Sequence, residues 1–261
     1  MSFDREWLDL RAPADAAARD PGLLDAARAY LSADPWPLAL DLGAGTGATL
    51  RSFAAAGVRW RLVDRDPELL AIAAERHPEA EPVVADLARL DDLPLAGIRL
   101  VTCSALLDLA AAAWLDGLAA RLAAAGTALY AALSYDGGLA FTPDHPEDAA
   151  IIAAFNRHQR GEKGLGGRAL GPDAARHLAA ALANRGFRVR LAASPWGLGP
   201  GPLLAALLGG IASAAAEAGA ETGRWRQARA AATGASVGHL DLFAVPPGAS
   251  AQSKTTSVSS P

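Results

Sequence analysis

Three aspartates recur at nearly equal intervals near the start of the chain. Asp41 closes "LALD" (38–41), Asp64 closes "WRLVD" (60–64) and Asp86 closes "PVVAD" (82–86), spacings of 23 and 22 residues. Behind Asp41, "DLGAGTG" (41–47) has a glycine at every second position. Bare backbone beside a carboxylate suits a molecule that lies against the main chain and presents hydroxyls or positive charge. A dinucleotide is one answer. Gly43, Gly45 and Ala48 fit G-x-G-x-x-G/A, and Asp64 stands where a ribose-binding acid is expected. The glycines alone therefore leave the ligand open. Asp41 weighs against a pyrophosphate, because a carboxylate two residues before the first glycine repels it and favours an ammonium or sulfonium group.

These residues need elements to position them. "PLALDL" (37–42), "WRLVD" (60–64), "PVVAD" (82–86), "IRLVTCS" (98–104) and "TALYAALSY" (127–135) read as strands, with helical stretches between them reaching about Ala56, over Pro67–Arg76 and over 106–124. That alternation predicts βαβ units and a parallel sheet. Residues 3–31 read as helical, with Trp7, Leu8, Leu23, Leu24 and Leu31 as apolar anchors. "FRVRLAA" (187–193) and "VGHLDLFAV" (237–245) predict two more strands, seven in all. In such a sheet ligands bind at the carboxyl ends of the strands, where all three aspartates fall.

The combination resembles the class I S-adenosylmethionine-dependent methyltransferases, closely over 37–135 and in topology over 171–245. Asp41, Gly43, Ala44, Gly45 and Gly47 match that family's first motif, which surrounds the methionine part of the cofactor. The resemblance assigns Asp64 to the ribose hydroxyls, Arg65 to the side of the adenine, and Asp86 with Leu87 to the adenine amino group. Within "RLVTCSALLDL", Ser104 and Ala105 flank the methionine moiety. A preceding helix often covers the cofactor in related folds, so Arg11 or Arg19 is expected to meet the methionine carboxylate. The fold implied is doubly wound α/β, with a mostly parallel seven-stranded sheet, helices on both faces and helical insertions capping the acceptor side. The domain expectation is an N-terminal helical segment (1–36), a methyltransferase domain (37–247) with insertions at 136–170 and 197–235, and a disordered tail (248–261).

Both insertions depart from the family's plain pattern and fall where an acceptor is held. Methyl transfer is an in-line displacement, much of it positioning, and a base is needed only where the nucleophile must lose a proton. Tyr135 and Asp136, ending the fifth strand, are acceptor-side candidates. Read as structure alone, they are a core tyrosine and a turn aspartate. His158 in "FNRHQRGEKG" is a candidate base, or else an exposed helix-end histidine. Arg157, Arg160, Lys163 and Arg168 make the first insertion basic, and Arg224, Arg226 and Arg229 the second. Such runs are usually solvated faces. If both cover the cleft they favour an anionic acceptor, and a small molecule is the leading expectation, with RNA or protein second.

Composition bounds the rest. The chain has 261 residues, 51% apolar and 20% charged, with net charge −4. That is ordinary globular composition and does not suggest a nucleic-acid binder. One cysteine, Cys103, allows no internal disulfide, and the five scattered histidines show no metal-ligand spacing. "MSFDREWLDLR" lacks the apolar core of a signal peptide. The uncharged stretch 191–216 is broken by prolines, and its uninterrupted part is 14 residues, short of the roughly 20 a membrane span needs. A cytoplasmic protein without metal or membrane partner is expected. A nicotinamide-dependent oxidoreductase and a non-catalytic cofactor-binding protein stay open as rivals.

Overall fold

The computed structural model describes residues 5–54 and 57–248. Two helices, α1 (Arg5–Ala18) and α2 (Pro21–Ser32), precede the first strand. Then follow β1 (Leu38–Leu42), α3 (Ala48–Phe53), β2 (Arg59–Asp64), α4 (Pro67–Arg76), β3 (Glu81–Val84), β4 (Leu100–Ser104), α5 (Ala112–Ala125) and β5 (Ala128–Thr142). The remainder comprises α6 (Asp148–Gln159), α7 (Ala174–Ala183), β6 (Arg188–Ala193), β7 (Trp196–Leu198), α8 (Pro202–Glu217), α9 (Gly223–Arg229) and β8 (Gly234–Val245).

The sheet runs β3-β2-β1-β4-β5-β8-β6, parallel from β3 through β5, with β8 antiparallel to both β5 and β6. The order reverses between β1 and β4, which opens a crevice at their carboxyl ends. β1 is buried on both sides, as the central strand of a parallel sheet must be. Its alternation divides the core. Leu40 and Leu42 join the layer containing Leu115, Leu118, Leu178 and Leu182 of α5 and α7. Ala39 joins the layer of α2, α3 and α4, where Phe53 meets Trp60 and Tyr130 edge-on.

Local chemistry sets the element ends. Asp66 accepts the backbone N–H groups of Glu68 and Leu69, and Pro67 occupies the first turn of α4, where its missing N–H costs nothing. Gly126, left-handed at φ 63°, ends α5.

Several elements differ from the reading of the sequence. The helical expectation over 3–31 is divided at Arg19–Asp20, because the Asp20 side chain caps Leu23 and Pro21 begins a new helix. β3 stops at Val84, so Asp86 lies in the following turn, where its Oδ1 accepts from Ala88 N. An eighth strand, β7, pairs with the outer end of β8. The largest difference is β5, which continues past Tyr135 to Thr142. Two irregularities in its pairing with β8, at Ala131/Ser134 and Tyr135/Leu139, let the two strands run on together as a long antiparallel ribbon. A separate apolar cluster forms there, from Phe141, Ile151, Leu204, Leu208, Ile211 and Trp225. The helices α6, α8 and α9 are thus packed on an extension of the sheet. The tail expectation beyond Gly248 lies outside the described residues. Among the described residues, no helix is long and apolar enough to cross a membrane, and no group of His, Cys, Asp or Glu could hold a metal ion.

Candidate functional site

A cleft opens at the carboxyl ends of β1, β2 and β4, floored by the glycine turn. Gly43, Gly45 and Gly47 all have positive φ, at 66°, 50° and 81°, a region most side chains avoid. A Cβ on Gly43 would stand 3.2 Å from Leu106, and one on Gly47 would stand 3.0 Å from the His77 ring. The turn is held from the next strand: Gly45 N–H donates to Asp64 Oδ2 at 2.9 Å, and Ala44 N–H to the Val63 carbonyl at 3.0 Å. Ala105, beyond β4, has φ 50°, and its N–H donates to the Ala132 carbonyl. A non-glycine residue in that conformation is strain of the kind that gathers at ligand sites.

Of the residues picked out in the sequence, Arg11, Gly43, Ala44, Gly45, Asp64, Arg65, Asp86, Leu87, Ser104 and Ala105 all line this cleft. Gly47 faces His77 beneath it. Asp41 is buried below the floor, on the same strand face as Ala39. Its Oδ1 accepts from Thr102 Oγ1 at 2.7 Å, its Oδ2 has no partner, and burial pushes its carboxyl up to about 7. Arg19 enters the same buried space from the α1–α2 junction. It donates through Nη2 to Ser104 Oγ at 2.8 Å, which in turn lies 3.0 Å from Thr49 Oγ1. Its Nε and Nη1 are buried without partners, and its charge pulls against the rise at Asp41.

Two covers close over the cleft. The first is α1, contributing Leu8, Arg11 and Asp15. Arg11 pairs with Asp15 at 2.8 Å and stacks over Trp196, whose Nε1 donates to Asp15 Oδ1 at 3.1 Å. The second is the segment 161–170, contributing Lys163, Gly164 and Leu165. Backbone bonds Ala111 N to Leu165 O, Leu170 N to Ala110 O and Ala169 N to Gly161 O fasten it beside the start of α5.

The remaining acceptor-side candidates lie outside the cleft lining. Tyr135 packs against Phe155 and His239, and its hydroxyl donates to Asn156 Oδ1 at 2.8 Å. Asp136 accepts from Gly138 N at the ribbon irregularity. His158 bonds Glu217 and Lys163. The arginines of the insertions mostly hold the cap together: Arg160 pairs with Asp173, Arg229 with Asp148, and Arg224 lies 3.4 Å from Glu147.

Asp108 and Leu165 have no role in the sequence reading, and Lys163 enters it only as one of the basic residues of the first insertion. Asp108 Oδ1 is buried without a partner, and burial raises its carboxyl to about 6, with Arg11 and Lys163 drawing it back. Spacing gives no signal for these residues. Composition gives one for Lys163, since the chain has only two lysines.

Residues 39–126 match a protein-family model described as a methyltransferase domain. The match covers about a third of the chain. It runs from β1 to the end of α5 and contains every cleft residue except those supplied by the two covers. No curated protein matches the chain. Solved structures that resemble it include human N-acetylserotonin methyltransferase in complex with SAM, at 18% identity and TM-score 0.44, covering 72% of this chain and 49% of that one. The chain thus spans about half the length of that enzyme. A putative methyltransferase from Bacillus halodurans matches at 15% identity and TM-score 0.49, covering 80% and 92%. An amino pentose methyltransferase from Micromonospora echinaspora matches at 24% identity and TM-score 0.39, covering 54% and 63%.

Proposed function

We propose that this protein transfers the methyl group of S-adenosylmethionine to a small-molecule acceptor. The observation that carries this reading is the charge order along the cleft. Asp86 and Asp64 stand on the side suited to a nucleoside. Beneath the floor at the other end, where Arg19 reaches Ser104 of the lining, Arg19 Nε and Nη1 and Asp41 Oδ2 are buried without partners. A ligand with a ribose at one end and a zwitterionic amino acid at the other complements both. The glycine turn lets its sulfonium centre lie against backbone.

The small-molecule reading is supported by the covers. α1 and 161–170 narrow the cleft, with Leu109, Lys163 and Leu165 lining it opposite the floor. With most insertion arginines paired inside the cap, any preference for an anionic acceptor rests on Lys163 and Arg11. In this reading α1 covers the cofactor, the insertions 136–170 and 197–235 form the acceptor cap, and Tyr135, Asp136 and His158 position its walls. Calorimetry tests it. S-adenosylhomocysteine should bind at micromolar strength, about −8 kcal/mol, and NAD far more weakly. Preferential binding of NAD would overturn the proposal.

A further inference from the structure

Two lysines, Lys163 and Lys254, stand against 22 arginines in this chain. Lys254 lies outside the described residues, and Lys163 lines the cleft. The distinction matters chemically. Arginine stays charged at any working pH, whereas a lysine can lose its proton and act as a base. In a chain that otherwise uses arginine for positive charge, the acceptor side holds a cation that can be switched off.

Lys163 is also connected. Its Nζ lies 3.2 Å from His158 Nδ1, and His158 Nε2 lies 3.0 Å from Glu217 Oε2. With Glu217 ionised, Nε2 carries the imidazole proton and Nδ1 is left to accept an N–H from Lys163. The His158 side chain is 23% exposed and that of Glu217 70% exposed. The three groups come from the 161–170 cover, α6 and α8, and they run in order from the cleft wall to solvent.

We propose that Lys163 takes the proton released by a hydroxyl acceptor during methyl transfer, and that His158 and Glu217 conduct it out of the covered cleft. The proposal rests on the methyltransferase reading and narrows its acceptor to a protic one. In the step, the sulfur–methyl bond breaks with its electron pair staying on sulfur. The acceptor oxygen bonds the methyl carbon, its O–H bond breaks, and the proton goes to the neutral Lys163 amine. Lys163 then passes a proton to His158 Nδ1. The resulting imidazolium, paired with Glu217, loses one to water at the exposed edge.

The electrostatics agree with this assignment. Burial holds the Lys163 amine below its ordinary 10.5, while Glu217 and Asp108 act in the opposite sense. The groups facing Lys163 are His158 from α6, Glu217 from α8 and Asp108 from the 107–109 turn; Arg11 of α1 acts on Asp108 from across the cleft.

Having two lysines makes the test direct. In full-length protein labelled at lysine, NMR shows two side-chain signals, and Lys163→Arg removes one of them. With S-adenosylhomocysteine present, Lys163 should titrate below 10.5. Glu217→Gln should lower the Lys163 midpoint further, and by less on a His158→Gln background. Trace acetylation with acetic anhydride, read for each lysine by mass spectrometry, gives an independent profile, since each unit of lowering raises the neutral fraction about tenfold at a fixed lower pH. A midpoint at or above 10.5, or one indifferent to Glu217→Gln, would make Lys163 a charged anchor and overturn the proposal. Binding of S-adenosylhomocysteine to the unaltered protein is measured in parallel, so a failure of the cofactor reading shows there and not in the lysine titration.

Discussion

The Gly45 backbone N–H donates to Asp64 Oδ2 at 2.9 Å, so the acid that ends β2 also fastens the glycine turn that follows β1. The other oxygen accepts from Asp66 N at 3.1 Å. Each oxygen keeps a lone pair for a ligand hydroxyl. Turn geometry and, in the proposed reading, ribose recognition therefore depend on one carboxylate.

Asp64→Ala should consequently lose on two fronts. Cofactor affinity should fall roughly 10- to 150-fold, from hydrogen bonds to a charged group at about 1.5–3 kcal/mol. Cofactor-free stability should fall by about 1–3 kcal/mol, because Gly45 N–H loses its partner. Asp64→Asn keeps one acceptor oxygen and should lose less of both. Thermal melts without ligand, beside calorimetry with S-adenosylhomocysteine, separate the two effects. Unchanged melting of Asp64→Ala would show that the turn stands without this acid.

Asp41 should leave a signature in the pH dependence of stability. Burial raises its carboxyl from 3.8 to about 7, so between those values the folded protein holds a proton that the unfolded chain releases. Stability then falls with rising pH across that window, by on the order of 1 kcal/mol per unit from this residue, and stays level above it. Asp41→Asn removes the titration. Its melting temperature relative to the unaltered protein should climb from about pH 4 to about pH 7 and then flatten. Asp108 and His239 titrate in both proteins and cancel in the difference. A difference independent of pH would place the Asp41 titration outside this window.

Asp241 is fully buried on β8 and accepts four donors: Asp20 N, Leu133 N, Tyr130 Oη and Ser194 Oγ. It ties the α1–α2 junction, the left-handed Leu133 in β5 and the turn before β7 to one carboxylate. Asp241→Ala strands several buried donors at about 1–3 kcal/mol each. A melting-temperature drop of roughly 6–12 °C is expected, for a loss of about 3 kcal/mol in a chain of this size. A drop under 2 °C would mean that water replaces the carboxylate without cost.

Trp196 secures the cover. Its Nε1 donates to Asp15 on α1, and Arg11 stacks on its ring. Trp196→Phe keeps an aromatic face but removes the hydrogen bond, worth about 1 kcal/mol. Amide exchange over α1 should speed up about fivefold, and cofactor release should quicken with it, while β1 and β4 exchange unchanged. Equal exchange over α1 in both proteins would show that the apolar packing of Trp7, Ala14 and Ala18 against the Trp196 cluster holds the cover without this hydrogen bond.

What the sequence determined by itself is local. Strand–helix alternation from Leu38 to Ala125, the glycine turn and the strand-end position of Asp41 and Asp64 follow from the order of residues within about 30 positions. Apolar runs, glycine conformations and helix caps act over that range. The tertiary structure decided what depends on distant segments meeting. Arg19 reaches Ser104 across 85 positions, Trp196 reaches Asp15 across 181, and His158 reaches Glu217 across 59. The extension of β5 to Thr142 is of the same kind. "DGGLAFT" has little strand character of its own, and it is ordered by pairing with β8 and by the apolar cluster of α6, α8 and α9 laid against that ribbon. No spacing in the sequence records those encounters, because each is settled by the burial of surfaces that become neighbours only once the sheet has formed.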